Sequence, residues 1–325
     1  MSWHTRVYLT ILGITGLITG AVLIGAPDRT ADYFVWPVGP PTGQLSTVYF
    51  IGAGYLGTGL TTLGALFIAR SWQEVRLLIG PIVVFAGLML AATGLHAEKF
   101  FWDRPQTWLW VSLYGVIMAG AAILARTEPP ARRDVFSGRR LTRAEHLMLA
   151  FAGLVMAVWA AAMFVFPSYG ALVWPWPLTL LTDRVIAGWI SVGAALSLSG
   201  ALTADAATLR VPLMGWMVTV TLFILAALAS STIMSPQDPR TWLYFAGLGA
   251  SLAGAGLLLR RLATAPPLTA SGVADLGAAG NTSLVCPSFS GGVPHDDGSA
   301  AAELPLEGGM GQEDCGWAPV GAGRA

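Results

Sequence analysis

The charges along the chain bracket long uncharged stretches of about 18 to 22 residues. At roughly 1.5 Å rise per residue, each is long enough to cross the roughly 30 Å apolar core of a bilayer. Eight such stretches predict helices at about 7–26, 48–69, 75–95, 107–125, 146–166, 185–203, 211–233 and 241–259. Composition agrees: 54% of the 325 residues are hydrophobic, 11% are charged and mean hydropathy is +0.63, whereas a soluble domain carries roughly 25% charged residues. The expected fold class is all-α, a polytopic membrane protein with eight transmembrane helices. The first apolar run, Val7 to Ala26, exceeds the about 7–15 residues of a signal-peptide core and no A-x-A site follows it, so it is expected to remain in the mature protein.

A search for internal repeats gives a second layer of organisation. Shifted by 134 residues, PQTWLW at 105–110 lies on PRTWLY at 239–244, and Gly54, Tyr55, Gly59 and Arg76 lie on Gly188, Trp189, Gly193 and Arg210. A shift of 140 aligns Gly13 with Gly153, Pro27 with Pro167, and Trp36-Pro37 with Trp176-Pro177. The expectation is two parallel four-helix repeats, residues 1–126 and 145–262, joined by a basic linker at 127–144 and followed by a tail at 263–325. Thirteen of the 18 basic residues, including six arginines between 126 and 143, fall on the side of the termini and linker, while Arg29, Lys99, Arg104, Arg184 and Arg240 fall on the other. The positive-inside rule then places both termini and the linker in the cytoplasm.

Gly52, Gly54 and Gly57 spell G-x-G-x-x-G, with Glu74 about where a ribose ligand would be wanted. A dinucleotide turn needs a short strand before it and an amphipathic helix after it, but the span from Val48 to Ala69 carries no charge and no polar face. Ala53, Gly57, Gly59 and Gly64 are read instead as a helix-packing face, as are Gly16 with Gly20 and Gly249 with Ala253. No cofactor is expected, and four dispersed histidines offer no ligand set for haem or metal.

The linker reads as a topology anchor touching anionic headgroups rather than a nucleic-acid module. The tail, rich in Ala, Gly, Pro and Ser with seven acidic residues against Arg324, reads as a disordered segment. It holds both cysteines, Cys286 and Cys315, in no metal spacing. The spans carry no Asp, Glu, Lys or Arg away from their ends, which argues against ion-coupled transport. Hydroxyls at depth, among them Thr58, Thr61, Thr62 and Thr219, read as packing or back-bonding groups.

The outer loops collect the remaining unusual residues. Trp36, Trp108, Trp174, Trp176 and Trp242 sit there with Asp103-Arg104-Pro105 and Asp238-Pro239-Arg240, and Thr107 and Thr241 read as N-caps. The tryptophans fit interface anchors. They also fit the walls of an outward-facing groove, gated by Asp103, Arg104, Asp238 and Arg240, with Trp36, Trp174 and Trp176 as its indoles. Asp183 and Arg184 open the sixth helix where the first repeat has Tyr49 and Phe50. An arginine at the mouth of a span needs a partner, expected to be Asp183, Asp103, Asp238 or a lipid headgroup.

The run WPWPLTLLTDR at 174–184 resembles a W-P-W-x-L-T-x-L-T-x-R signature of uncharacterised multi-pass membrane proteins of actinobacteria and related bacteria. Trp174, Pro175, Trp176, Leu178, Thr179, Leu181, Thr182 and Arg184 match it, while Leu180 stands where the group has Pro. The resemblance implies a bacterial cell membrane location and no particular reaction. Three function classes stay open. The first is a non-enzymatic partner or scaffold working with the bilayer and other membrane proteins. The second is an uncoupled transporter or binder of a lipid or small hydrophobic ligand. The third is a lipid-active enzyme built from His96, Glu98, Asp103 and Asp183, which lacks a nucleophile or metal motif.

Overall fold

The computed structural model describes residues 1–38, 45–128, 140–203, 205–230 and 234–264. The expected disordered tail beyond Thr264, its cysteines and most of the basic linker lie outside the described residues. Among those described the fold is all-α, with eight helices long and apolar enough to span a membrane. They are α1 (Trp3–Gly25), α2 (Leu45–Ile68), α3 (Trp72–Leu95), α4 (Pro105–Thr127), α5 (Arg143–Val165), α6 (Leu180–Ala201), α7 (Arg210–Ala229, entered through a 3-10 turn at Ala206–Leu209) and α8 (Pro239–Ala263).

Most of the helices begin before their apolar runs do, because the first turn is made of capping groups that hydropathy does not register. Ser2 accepts the Thr5 N–H, and Thr142 with Glu145 forms a reciprocal capping box ahead of α5. Thr179 and Thr182 do the same for α6, while Pro105 and Pro239 occupy the first position of α4 and α8, where no N–H is needed. Thr107 and Thr241 are not the caps: each lies one turn's reach inside its helix and donates its hydroxyl back to a loop carbonyl, of Phe101 at 2.6 Å and Ser235 at 3.0 Å. Asp238 is the cap of α8, accepting the Arg240 N–H.

Packing divides the helices into a centre and a rim. The most extensive contacts pair α1 with α2 and α5 with α6; α2 packs on α7, α3 on α6, α3 on α4 and α7 on α8. The α2, α3, α6 and α7 spans are the most buried and α4, α5 and α8 the least. Where α1 crosses α2 the backbones nearly touch: a Cβ on Gly20 would lie 2.5 Å from the Leu56 N, and one on Gly59 2.6 Å from the Leu17 N. Bilayer lipids are as apolar as leucine, so van der Waals contact of this closeness, rather than a hydrophobic gradient, holds such helices together.

The three glycines of the G-x-G-x-x-G string face three different neighbours. Gly52 meets Leu23 and Ile24 of α1, Gly54 the Trp189 indole of α6, and Gly57 Thr219 of α7. They lie inside a continuous helix, Leu45–Ile68, and no strand occurs among the described residues. Gly64, Gly115 and Gly249 have nothing within 4 Å of a would-be Cβ. Small size at these three serves no contact, and the packing role expected for Gly64 and Gly249 is not seen.

Candidate functional site

The 1/2, 3/4, 5/6 and 7/8 connections share one end of the bundle, the tryptophan-rich end. After α1 the chain turns through Pro27–Arg29 and Thr30–Tyr33, and after α5 through Pro167–Tyr169 and Gly170–Val173. Each turn then carries its aromatics inward. Trp36 is 1% exposed, Trp174 3% and Trp176 2%. These indoles are core groups and do not wall an open groove.

Their surroundings explain the burial. Trp36 meets Trp110 at 5.2 Å between ring centroids and Phe34 at 4.5 Å. Trp176 meets Tyr244 at 5.6 Å, and Trp174 meets Tyr244 at 5.3 Å and Phe50 at 5.6 Å. Trp189 joins the two sets, 5.3 Å from Tyr55 and 4.3 Å from Phe85, and Phe50 stacks on Phe223 at 4.3 Å. Edge-to-face and offset-stacked aromatic pairs contribute about 0.5–1.5 kcal/mol each beyond burial. The Trp176 Nε1–H donates to Thr47 Oγ1 at 3.0 Å, tying the 5/6 connection to α2. Trp108 and Trp242 differ: both are exposed, with indole N–H groups donating to the Trp102 and Pro236 carbonyls at 3.1 and 2.8 Å. That is the geometry of a bilayer-interface anchor.

Of the charged residues at this end, Asp183 is buried and Arg104, Arg184, Asp238 and Arg240 are half-buried and bonded within the protein, while Asp28, Arg29, Asp32, Glu98, Lys99 and Asp103 are exposed. Arg184 Nε donates to the Phe164 carbonyl at 3.0 Å, and its Nη1 contacts His96 Nε2, so the guanidinium links the ends of α3, α5 and α6. Its partner is thus an imidazole and a carbonyl, not the carboxylate expected. A guanidinium can only donate, so His96 Nε2 is the unprotonated nitrogen and Nδ1 faces Glu98 Oε1 at 3.8 Å. Burial, and after it the Arg184 charge, hold His96 below its ordinary pKa of 6.5. Asp183, fully buried, instead accepts the Gly170 N–H through Oδ2 at 2.9 Å. Only glycine fits there, since a Cβ on Gly170 would sit 2.2 Å from that oxygen.

Arg104 and Arg240 do matching work from non-matching positions. Arg104 Nη1 donates to the Ala31 carbonyl at 2.7 Å and stacks its guanidinium over Phe101 at 4.0 Å; Arg240 Nη1 donates to the Ala171 carbonyl at 2.9 Å. Arg240 Nε also bridges both Asp238 oxygens at 2.9 and 2.8 Å, which holds the Asp238 carboxyl below its usual range. Asp103 is exposed and joins none of these contacts.

At the opposite end Glu128, just past α4, accepts from the Ser2 and Thr5 hydroxyls and, at 3.3 Å, from the Ser2 N–H. Burial alone would raise its pKa; these hydrogen bonds overcome it and hold the carboxyl below its usual value. In the second half Arg261 Nη1 of α8 lies 3.7 Å from Glu145 Oε1 of α5. Nothing local in the sequence marks either carboxylate, Glu128 or Glu145, as the tie between two helix ends.

A cavity of about 50 Å³ lies between α2, α3, α6 and α7, not lined by Trp36, Trp174 or Trp176, with Thr58, Thr61, Thr62, Trp216 and Thr219 in its wall. Among the described residues no cluster of three or more His, Cys, Asp or Glu could hold a metal ion. Comparison with protein-family models, with curated proteins and with solved structures gives no match.

Proposed function

We propose that this chain is a non-enzymatic integral membrane protein, a partner or scaffold for other membrane proteins. It is read as two parallel four-helix repeats in a bacterial cell membrane with both termini and the linker cytoplasmic. The observation that carries this reading is the use of the outer-end side chains: Trp36 and Trp174 are packed internally, and Trp176, Asp183, Arg184 and Arg240 make internal hydrogen bonds. A binding groove or a catalytic centre needs such groups aimed at open space. Meanwhile α4, α5 and α8 present Val116, Phe151, Val158 and Leu243 outward, an apolar rim available to lipid and to neighbouring helices.

The repeat is supported by the pairing of contacts: α1–α2 with α5–α6, α3–α4 with α7–α8, and α2–α7 with α6–α3. Local likeness adds to it, since Arg104 to Ala31 and Arg240 to Ala171 are the same helix-to-loop bond in each half. Native extraction into lipid nanodiscs with mass spectrometry of bound proteins and lipids tests the proposal. Membrane proteins recovered at fixed ratio, with a lipid profile unchanged in Arg184→Ala, are expected. A single bound lipid or solute that disappears in Arg184→Ala, with no protein recovered, would overturn it in favour of an outer-end binding protein.

A further inference from the structure

The cavity between α2, α3, α6 and α7 has a composition that specifies a ligand class. Ten of its twelve lining residues fall into five pairs spaced by 134, among them Thr58 with Val192, Pro81 with Gly215 and Ile82 with Trp216. It therefore occupies the axis of the proposed repeat, and the two halves contribute different chemistry to it, hydroxyls from the first and mainly apolar groups from the second.

The hydroxyls are oriented by their own helices. Thr61 Oγ1 donates to the Gly57 carbonyl at 2.7 Å, Thr62 Oγ1 to Thr58 at 2.9 Å, and Thr219 Oγ1 to Gly215 at 3.0 Å. With each proton committed, the oxygens keep their lone pairs and act toward the cavity as acceptors. The indole N–H of Trp216 is also committed, to Ser251 Oγ at 2.8 Å. Only Thr58 keeps a hydroxyl with no bond among the described residues. None of the twelve lining side chains is ionisable, so nothing there offsets the desolvation of a charge.

We infer that this cavity is a binding site for a small neutral solute rich in N–H or O–H donors, of the size and chemistry of urea. At roughly 10–15 Å³ per water, it holds about three to five water-sized groups, a range that includes urea's four non-hydrogen atoms. A neutral donor satisfies the acceptor oxygens without a counter-ion. The inference does not depend on the scaffold reading.

The test is saturation-transfer NMR with urea on the full chain in nanodiscs. Saturable transfer is expected, competed by acetamide and not by ammonium. Thr61→Val with Thr219→Val keeps the volume and removes two acceptors, and should weaken binding by roughly tenfold or more. Val192→Phe fills the space and should abolish the signal. No transfer to the folded wild type would overturn the inference, leaving a cavity for water alone. So would competition by ammonium equal to urea, or transfer that survives both variants. If Val192→Phe does not fold, the isosteric threonine pair decides.

Discussion

At the residue scale the tryptophan-rich end is governed by how buried polar groups find partners. The His96–Arg184 contact requires a neutral imidazole, and both burial and the adjacent guanidinium depress the His96 pKa. The unfolded chain therefore takes up the proton first as pH falls. Stability from this pair is complete above about pH 6.5 and is lost progressively below it. Wild-type melting temperature should fall between about pH 7.5 and 5.5 by more than that of His96→Gln, which keeps an acceptor but cannot titrate; equal slopes would remove His96 as the cause. Gly170 and Asp183 form a second coupled pair. Gly170→Ala drives a methyl into the Asp183 carboxylate and should cost about 1–3 kcal/mol in an unfolding titration. In an Asp183→Ala background most of that penalty should vanish, and an additive result would show that backbone strain rather than the carboxylate is responsible.

At the element scale, glycine position separates contacts that hold the bundle from residues that merely face lipid. Gly20→Ala places a methyl 2.5 Å from the Leu56 backbone, so α1 must lift off α2, and a loss of about 1–3 kcal/mol is expected. Gly249→Ala meets nothing, and helix propensity alone should make it neutral or stabilising by up to about 1 kcal/mol. Thermal unfolding of the two in the same detergent checks the contrast. Both glycines sit in small-x-x-x-small spacing, so the sequence could not rank them; which face of α8 turns outward depends on the neighbour it packs against. The helices themselves were legible because a bilayer-spanning run needs only length and an absence of charge. Their first turns were not, since Ser2, Arg143 and Glu145 read as flanking charge and polarity until the caps form. The same limit applies to the candidate site. Trp36 and Trp108 look alike in the sequence, yet one is buried and the other exposed, and back-bonded threonines give no sequence sign of the space beside them.

At the scale of the whole molecule, the distribution of basic residues predicts a direction across the bilayer that packing does not. Thirteen basic residues against five divide between the two ends if all eight helices cross the bilayer. Moving an arginine-rich segment across the apolar core is costly at insertion, so the 126–143 stretch should stay on the side where it is made. Ser168, exposed in the turn after α5, should then face outward. With Cys286 and Cys315 replaced by serine, Ser168→Cys should react with a membrane-impermeant thiol reagent in intact cells, and Ser137→Cys only after lysis. The reverse pattern would invert the molecule and place its tryptophan-rich end in the cytoplasm. Reaction of both in intact cells would mean that an odd number of helices separates them no longer, and that α5 does not cross. Because α5 is among the least buried helices and rests chiefly on α6, it is the span on which this measurement bears most directly.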